Sequence, residues 1–434
     1  MGLAIRNIKK NKMDYIIYGT TLILSVSILY TFSSIMFSKE VGSIIDTYNK
    51  LDGIFYMAII MVMLVLSTFV WYANKFFIRK RKKELGIFSL VGMENNKISN
   101  MILKELMLVG LGAAGVGTLL GAVLSKITFS IYTSILGQAF TGTIPFINTK
   151  AILITNGLFL FFFYLVALNS ASVIDKFKLI DLFGGDKKRE EGFKKPLIKG
   201  IPAVVIIIIG YITYPWSFAT LGLTIIVTTV IVIKGTYKLF STRIMKNLII
   251  RKEKLNLENG IENIALANVL FRLKSNSRML SSISVLIASN ITVIGVCATL
   301  YFSDESMDAM IGNIFFIGIC ISLVFAFCTL SILLFKLIRE AFDEKERFKI
   351  LYKIGFDHYE IKKIITTELK FYFGTPIKIG MVHALVALSV TILGLAEKFL
   401  LVIGGVMLVY SVIYLIYFLI TRELYMKIIE DGIK

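Results

Sequence analysis

The sequence is poor in the residues that build disulfide frameworks and metal centres. Its 434 residues include three cysteines, Cys297, Cys320 and Cys328, and two histidines. Each cysteine lies inside an apolar run, and no two of them form a CxxC pair. Structural zinc sites and disulfide frameworks need clustered cysteine or histidine side chains. We therefore predict a chain without a disulfide framework and without a metal site.

Motifs for nucleotide binding and catalysis are also missing. The sequence has no GxxxxGK[ST] phosphate-binding loop, no Ser/His/Asp set and no paired-carboxylate constellation. A GxGxxG pattern occurs at Gly110, Gly112 and Gly115, but it lies in an apolar run with no strand before it. Together with Gly117 and Gly121 it is more typical of close helix packing. We predict a non-catalytic protein with no cofactor of its own.

Long apolar runs are the most abundant feature of the sequence. Hydrophobic residues make up 56% of the chain, above the roughly 45–50% of soluble domains. A run of about 20 apolar residues crosses the hydrocarbon core of a bilayer. Such runs lie at residues 14–37, 54–77, 106–125, 151–173, 200–213, 217–233, 280–302, 309–337, 371–395 and 398–420. The Tyr214-Pro215-Trp216 break between the fifth and sixth predicts a hairpin of two short spans. We predict an all-α membrane protein with ten transmembrane helices.

The charge distribution predicts an orientation in the membrane. The net charge is +19, but the lysines and arginines lie between apolar runs and not on one soluble face, so we expect no nucleic-acid partner. Basic clusters precede the first run and follow the second, fourth, sixth and eighth, whereas the other connections are acidic, mixed or nearly uncharged. Because basic loops stay on the cytoplasmic side, we predict a multi-pass cell-membrane protein with both termini in the cytoplasm.

An internal repeat is visible when the sequence is shifted by 263 residues. Seven positions of the first half, Leu85, Ile87, Val91, Gly92, Ile98, Glu105 and Leu106, then align with Phe348, Ile350, Ile354, Gly355, Ile361, Glu368 and Leu369. Asn7 is matched by Asn268 at nearly the same offset. We predict a first four-helix repeat over residues 1–174, a linker with spans five and six over 175–256, and a second repeat over 257–434.

A short amphipathic segment follows the second span. After the basic run Arg79–Lys83, Leu85, Phe88 and Val91 recur every three residues with Ile87 beside them. This spacing predicts a short cytoplasmic helix with an apolar stripe. Taken alone, such a helix is typical of a segment lying on the lipid surface. Its duplication at residues 348–355 favours docking to a two-fold symmetric partner instead.

Four segments resemble the FtsX-like permease superfamily of ABC transporters, and within it the BceB-type permeases of peptide-antibiotic resistance systems. They are the ELGIxxxxG motif at residues 84–92, the opening AIRNIKKNKMDYIIYGTTLILSVSILYTF, the approach ANVLFRLKSNSRML to span seven, and FYFGTP at residues 371–376 with His383 beyond it. The resemblance implies a dimer of ATP-binding subunits, carrying ATP and Mg²⁺, that pushes two coupling helices at about 84–92 and 347–355. Their residues are Glu84, Leu85, Gly86, Ile87, Phe88, Val91 and Gly92, and Phe348, Ile350, Leu351, Ile354 and Gly355.

One departure from that resemblance concerns the substrate. BceB-type permeases carry a large extracellular domain between spans seven and eight, whereas this chain has only the segment Asp304–Asp308 there. Antibiotic specificity therefore does not follow from the resemblance. A second membrane subunit with an extracellular domain, or a sensor histidine kinase, becomes an expected further partner, and the composition is compatible with a Gram-positive source.

Two ionisable residues fall inside the ninth span. Lys378 and His383 line a polar cavity in one interpretation. In the other, Lys378 extends toward the membrane surface and a neutral His383 makes one hydrogen bond between helices.

Three functions remain open from the sequence. The leading one is an ABC permease subunit for export of, or resistance to, antimicrobial peptides or lipid-linked compounds. The second is a regulatory membrane subunit that controls a partner kinase or a cell-wall hydrolase. The third is an ion-coupled secondary transporter that uses Lys378 and His383 as a relay.

Overall fold

The fold is known from a computed structural model that describes residues 6–7, 12–38, 51–136, 148–175, 201–213, 223–253, 260–303, 309–391 and 396–433. Within these ranges every regular element is a helix. The twelve α-helices are α1 Lys12–Met36, α2 Leu51–Lys80, α3 Lys82–Leu90, α4 Asn95–Ile135, α5 Thr149–Asp175, α6 Ile201–Thr213, α7 Leu223–Leu239, α8 Met245–Glu253, α9 Gly260–Ser303, α10 Ala309–Lys353, α11 His358–Thr391 and α12 Ala396–Ile433.

Eight of these helices are long and apolar enough to cross a membrane, and α6 adds a shorter apolar helix at Pro202–Ile212. The predicted all-α membrane fold is confirmed. The count of ten spans stays a prediction, because eight long spans are found in the described part of the chain. The Tyr214-Pro215-Trp216 break, the Asp304–Asp308 connection and residues 176–200 of the predicted linker lie outside the described residues.

The chain forms two compact units. The first consists of Met1–Arg189 and Ser306–Val324. Inside it α1 packs along α4, and α5 packs against α1, α2 and α4. Large apolar side chains such as Tyr30, Phe69 and Phe163 are buried in this unit.

The second unit consists of Glu190–Glu305 and Phe325–Lys434. Its core is built on α9, which packs along α11 and also contacts α7, α8 and α12. The helices α6 and α7 pack against each other, where the sequence predicts a hairpin. A π-helical turn, Phe240–Ile244, joins α7 to α8 without interrupting the helical backbone.

A matching close approach between helices occurs in each unit. A Cβ added at Gly117 on α4 would lie 2.8 Å from the carbonyl oxygen of Ile23 on α1. A Cβ added at Gly380 on α11 would lie 2.8 Å from the carbonyl oxygen of Ser284 on α9. Gly380 lies 263 positions after Gly117. Glycine at these two positions lets the helix backbones approach to a distance that a larger residue prevents.

Candidate functional site

The first predicted coupling helix, α3, ends in a glycine-terminated turn. Gly92 has a φ of +91°, a left-handed conformation that glycine adopts without steric cost. The Gly92 N–H donates to the Ser89 carbonyl at 3.1 Å, and the Met93 N–H donates to the Phe88 carbonyl at 3.0 Å. These bonds satisfy carbonyls that the end of a helix leaves unpaired. The turn redirects the chain from α3 into α4 within a few residues.

The second turn repeats this geometry 263 positions later. Gly355 has a φ of +109° at the end of α10. Its N–H donates to the Tyr352 carbonyl at 3.1 Å, and the Phe356 N–H donates to the Leu351 carbonyl at 3.2 Å. The following helix, α11, begins with a capping box, since the Glu360 N–H donates to Asp357 Oδ1 at 2.7 Å and the Asp357 N–H donates to Glu360 Oε2 at 3.0 Å.

Each turn presents an exposed apolar surface. We call Ile87, Leu90 and Val91 the first apolar face, and Ile350 and Ile354 the second apolar face. All five side chains are exposed, with Val91 82% and Ile354 67% accessible. An isoleucine or valine in this position is not stabilised by the rest of the chain, so each face is available to a lipid surface or to a partner.

Other residues of the predicted coupling helices point inward. Leu85, Gly86 and Phe348 are buried, and Phe88 and Leu351 are half-buried. Leu85 and Phe348 therefore anchor the two helices, and the assignment of these residues to coupling stays a prediction. Residues three apart are rotated by about 60° on an α-helix, so a stripe with a period of three drifts from one face to another.

A buried cluster of polar side chains lies at the start of α3. The Arg81 guanidinium and the Glu105 carboxylate form an ion pair. Arg81 Nη1 donates to Tyr15 Oη at 2.6 Å, and Tyr15 Oη donates to Glu105 Oε2 at 2.6 Å. Asn7 Nδ2 donates to Glu105 Oε1 at 2.9 Å, and Glu84 accepts from Arg81 Nε at 3.3 Å. We call these five residues the first polar cluster; it ties α3 to α1 and α4.

The protonation states in this cluster follow from burial and charge. Burial acts to lower the pKa of the Arg81 guanidinium, but Glu105, Tyr15 and Glu84 outweigh it, and the pKa of Arg81 is raised. Burial also raises the pKa of Tyr15 above its ordinary range. The hydroxyl of Tyr15 therefore keeps its proton and acts as the donor to Glu105.

A second polar cluster occupies the equivalent place in the second unit. Asn268 Nδ2 donates to Glu368 Oε1 at 2.6 Å, and Arg347 Nη2 donates to the same oxygen at 3.2 Å. Arg347 and Arg272 both form ion pairs with Glu344. We call these five residues the second polar cluster; it ties the end of α10 to α9 and α11.

The two clusters share their geometry but not their sequence order. Arg81 aligns with Glu344, and Glu84 aligns with Arg347, so the charges are exchanged between the two halves. In the first half Arg81 still pairs with Glu105 on α4, and in the second half Arg347 still pairs with Glu368 on α11. In the sequence, Glu105 and Glu368, like Asn7 and Asn268, indicated an internal repeat but not a polar cluster. The signal that could have revealed the clusters is a carboxylate at the very start of an apolar run, where it needs a partner.

The turn geometry gives a first testable prediction. Replacing Gly92 with alanine should loosen the end of α3, because a residue with a Cβ in this left-handed conformation costs about 1–2 kcal/mol. No heavy atom lies within 4 Å of a Cβ at this position, so the effect comes from backbone strain alone. Hydrogen exchange of the Met93 amide should accelerate by about 5–30-fold.

The matched control for that prediction is Gly92→Asn, since asparagine tolerates left-handed backbone better than alanine. It should leave the exchange rate of the Met93 amide close to that of the unmodified protein. Equal acceleration in the alanine and asparagine variants would show that the turn does not depend on the positive φ.

His383 lies in the membrane-spanning part of α11 and is buried. Its Nδ1 lies 2.7 Å from Tyr211 Oη, and its Nε2 lies 3.0 Å from Thr236 Oγ1. The Thr236 hydroxyl donates its proton to the Val232 carbonyl at 2.8 Å. A neutral imidazole protonated on Nε2 satisfies every one of these contacts. His383 therefore links α11 to α6 and α7 through two hydrogen bonds, one more than the sequence interpretation proposed.

Lys378 is exposed and lies one and a half helical turns before His383. It lines an open cleft of about 790 Å³ between α6, α7 and α11. The other lining residues are mostly aliphatic and include Ile207, Ile212 and Val382. Among the described residues, no group of His, Cys, Asp and Glu side chains is arranged to hold a metal ion.

Comparison with known proteins gives the class of this protein. Residues 56–176 match the FtsX-like permease C-terminal family, a range that includes α3 and the first turn. The chain thus contains an FtsX-like permease domain, and the resemblance predicted from the sequence is confirmed.

The particular relatives are transporter permeases. The chain is 28% identical to the bacitracin export permease protein BceB of Bacillus subtilis (strain 168) over 316 residues, which cover 70% of this chain and 48% of the relative. It is 26% identical over 318 residues to BceB of Halalkalibacterium halodurans, with the same coverage. It is also 26% identical to the uncharacterized ABC transporter permease YvcS of Bacillus subtilis (strain 168), covering 69% of this chain and 47% of that protein. The chain spans about half the length of these relatives.

Proposed function

We propose that this chain is the permease subunit of an ABC transporter, and that its two apolar faces dock a dimer of ATP-binding subunits. The observation that carries the proposal is the pair of equivalent turns, each with exposed aliphatic side chains at its end. Two like surfaces fit two like partners, since a two-fold symmetric dimer offers the same pocket twice. ATP and Mg²⁺ would be held by the partner, and the termini and both turns would lie in the cytoplasm.

In this proposal the polar clusters transmit movement from the faces to the spans. The first apolar face lies on α3 and its turn, and Arg81 directly before α3 bonds to residues on α1 and α4. The second apolar face lies at the end of α10, a continuous helix of 45 residues, or about 65 Å. A push on either turn would move helices that are tied by buried charges, and such contacts are short and directional. The repeats over 1–174 and 257–434 would then act as two equivalent arms.

The names of two relatives support a proposal for the substrate class. Two of them are named for bacitracin export, and we propose that this chain contributes to export of, or resistance to, an amphipathic peptide or a lipid-linked compound. A second candidate is a regulatory subunit. It is favoured by the five residues that separate α9 from α10, which leave no room for an extracellular domain there. A purified complex that hydrolyses ATP without moving or releasing peptide would favour the regulatory function.

The docking proposal is tested by a double substitution, Val91→Asp with Ile354→Asp. Each change puts a carboxylate on an exposed apolar face, where it would be desolvated by a bound partner. Co-purification of a co-expressed ATP-binding subunit should fall by about tenfold or more, equivalent to ~1.4 kcal/mol. Both side chains are exposed in the chain itself, so folding and membrane insertion should not change.

The matched control is Phe271→Asp. Phe271 is also exposed, and it lies on α9 before the membrane-spanning part of that helix. This variant should bind the ATP-binding subunit as the unmodified protein does. Unchanged co-purification of the double variant would exclude the two faces as the docking surface.

A further inference from the structure

The mostly aliphatic cleft between α6, α7 and α11 contains a lysine, Lys378. Lys378 lies inside the candidate span His358–Ser389, about 10 Å along the helix from residue 371, where the apolar run begins. It is exposed, and among the described residues no acidic side chain forms an ion pair with it. A charge inside the hydrocarbon core is costly, by ~2.5–3.5 kcal/mol at its centre, unless it is paired, hydrated or able to reach the membrane surface. The cleft therefore presents a cation that needs an anion from outside the chain.

Positive charges outnumber negative charges on the elements that line the cleft. The described residues of α6 carry no charge, and those of α7 carry only Lys234 and Lys238. The π-helical turn after α7 adds Arg243, which is exposed. On α11 the preceding carboxylate is Glu368, which is already bound by Arg347 and Asn268. No negative charge on these elements competes for Lys378.

The cleft has the volume of a ligand-binding site. Its volume of about 790 Å³ lies within the ~300–1,000 Å³ that ligand sites occupy. Aliphatic side chains of α6 and α11 line it, and Tyr211 Oη and Lys378 are the polar groups at its wall. His383 also lines the cleft, but both of its ring nitrogens are already occupied by Tyr211 and Thr236.

We propose that this cleft binds an anionic phospholipid of the surrounding bilayer, with the phosphate on Lys378 and an acyl chain along the aliphatic walls. A phosphate supplies the charge that Lys378 lacks, and the acyl chain covers side chains that water would hydrate poorly. Pairing with the lipid holds α11 against α6 near the His383 contacts. The proposal does not depend on the docking of an ATP-binding subunit.

The test compares two photoactivatable lipids. The full chain is placed in phosphatidylcholine nanodiscs that contain a trace of diazirine-tagged phosphatidylglycerol or of equally tagged phosphatidylcholine. Labelled peptides are mapped by mass spectrometry. Peptides of α6 and α11 should carry phosphatidylglycerol label about fivefold above phosphatidylcholine label, the ratio that one cation near a lipid surface provides. In Lys378→Leu this ratio should fall to about one, and in Lys378→Arg it should be retained.

The matched control is Lys75→Leu, which removes an exposed lysine from the candidate span Ala58–Ile78 on α2. It should leave the labelling ratio on α6 and α11 unchanged. An equal labelling ratio in the unmodified protein, or an unchanged ratio in Lys378→Leu, would overturn the proposal. Displacement of the label by a long-chain isoprenyl diphosphate at lower concentration than by phosphatidylglycerol would overturn the assignment to a bilayer phospholipid.

Discussion

Replacing Arg81 with methionine is expected to destabilise the first unit by about 3–5 kcal/mol. Arg81 and Glu105 are both buried, and the change leaves the Glu105 carboxylate without its counter-charge in a place that water does not reach. Methionine fills a similar volume, so the loss comes from the charge and not from a cavity. The free energy of unfolding is measured by denaturant titration in mixed micelles.

Two further variants separate the buried charge from other causes. The double variant Arg81→Met with Glu105→Gln should recover a large part of the lost stability, because both charges are then absent. The exposed pair Lys97 and Glu94, 3.3 Å apart, provides a surface comparison. Lys97→Met should cost less than ~1 kcal/mol. If Arg81→Met cost no more than Lys97→Met, the first polar cluster could not be a rigid connection between α3 and the long helices.

The second polar cluster is built with more redundancy. Glu344 pairs with both Arg347 and Arg272, and Glu368 retains Asn268 as a donor if Arg347 is removed. The first polar cluster depends on one arginine for all of its positive charge. The first half is therefore the place where a single substitution gives the clearest test of how the turns are connected to the spans.

Much of the local structure was predictable from the sequence. Apolar runs of about 20 residues predicted the long helices, because a helix satisfies its backbone hydrogen bonds within one segment. The glycines at positions 92 and 355 predicted where the coupling segments end, and the turns with positive φ are found there. The 263-residue shift predicted that corresponding residues, such as Glu105 and Glu368, occupy similar places in the two halves.

The orientation of side chains and the long-range contacts were not predictable. The stripe of Leu85, Phe88 and Val91 looked like one surface, yet the packing of α3 buries Leu85 and exposes Val91. Tyr15 reaches Arg81 across 66 positions of sequence, and the packing of α1 against α2 and α4 brings them together. The spacing of apolar residues predicts that a segment is helical, but it does not show which other helix packs against each of its faces.

Helix continuity also differs between the two halves. α2 ends at Lys80, and Arg81 has φ −89° and ψ −1° before α3 begins. The equivalent residue, Glu344, lies within the uninterrupted helix α10. The buried position of the Arg81 side chain between Tyr15 and Glu105 accompanies this break, whereas Glu344 reaches its partners from a regular helix.

Replacing Gly117 with valine is the second substitution with a large expected effect. Its Cβ would lie 2.8 Å from the Ile23 carbonyl oxygen and 2.7 Å from Val26 Cβ, so α1 and α4 would have to separate. The separation would also break the hydrogen bond from Ser27 Oγ to the Gly117 carbonyl, which measures 2.9 Å. Because backbone atoms cannot rotate away as a side chain does, we expect about 3 kcal/mol of destabilisation, the upper end for overpacking. Thermal unfolding in detergent provides the measurement.

Gly115→Val is the matched control on the same helix. No heavy atom lies within 4 Å of a Cβ at Gly115, and valine has a higher helix propensity than glycine, so stability should be unchanged or slightly higher. The same order should hold in the second unit, with Gly380→Val strongly destabilising and Gly374→Val neutral. Equal stability of Gly117→Val and Gly115→Val would mean that α1 and α4 do not meet at this glycine. The two glycines face corresponding carbonyl oxygens, those of Ile23 and Ser284. A similar loss of stability in Gly117→Val and Gly380→Val would show that both units repeat the same close contact between two helices.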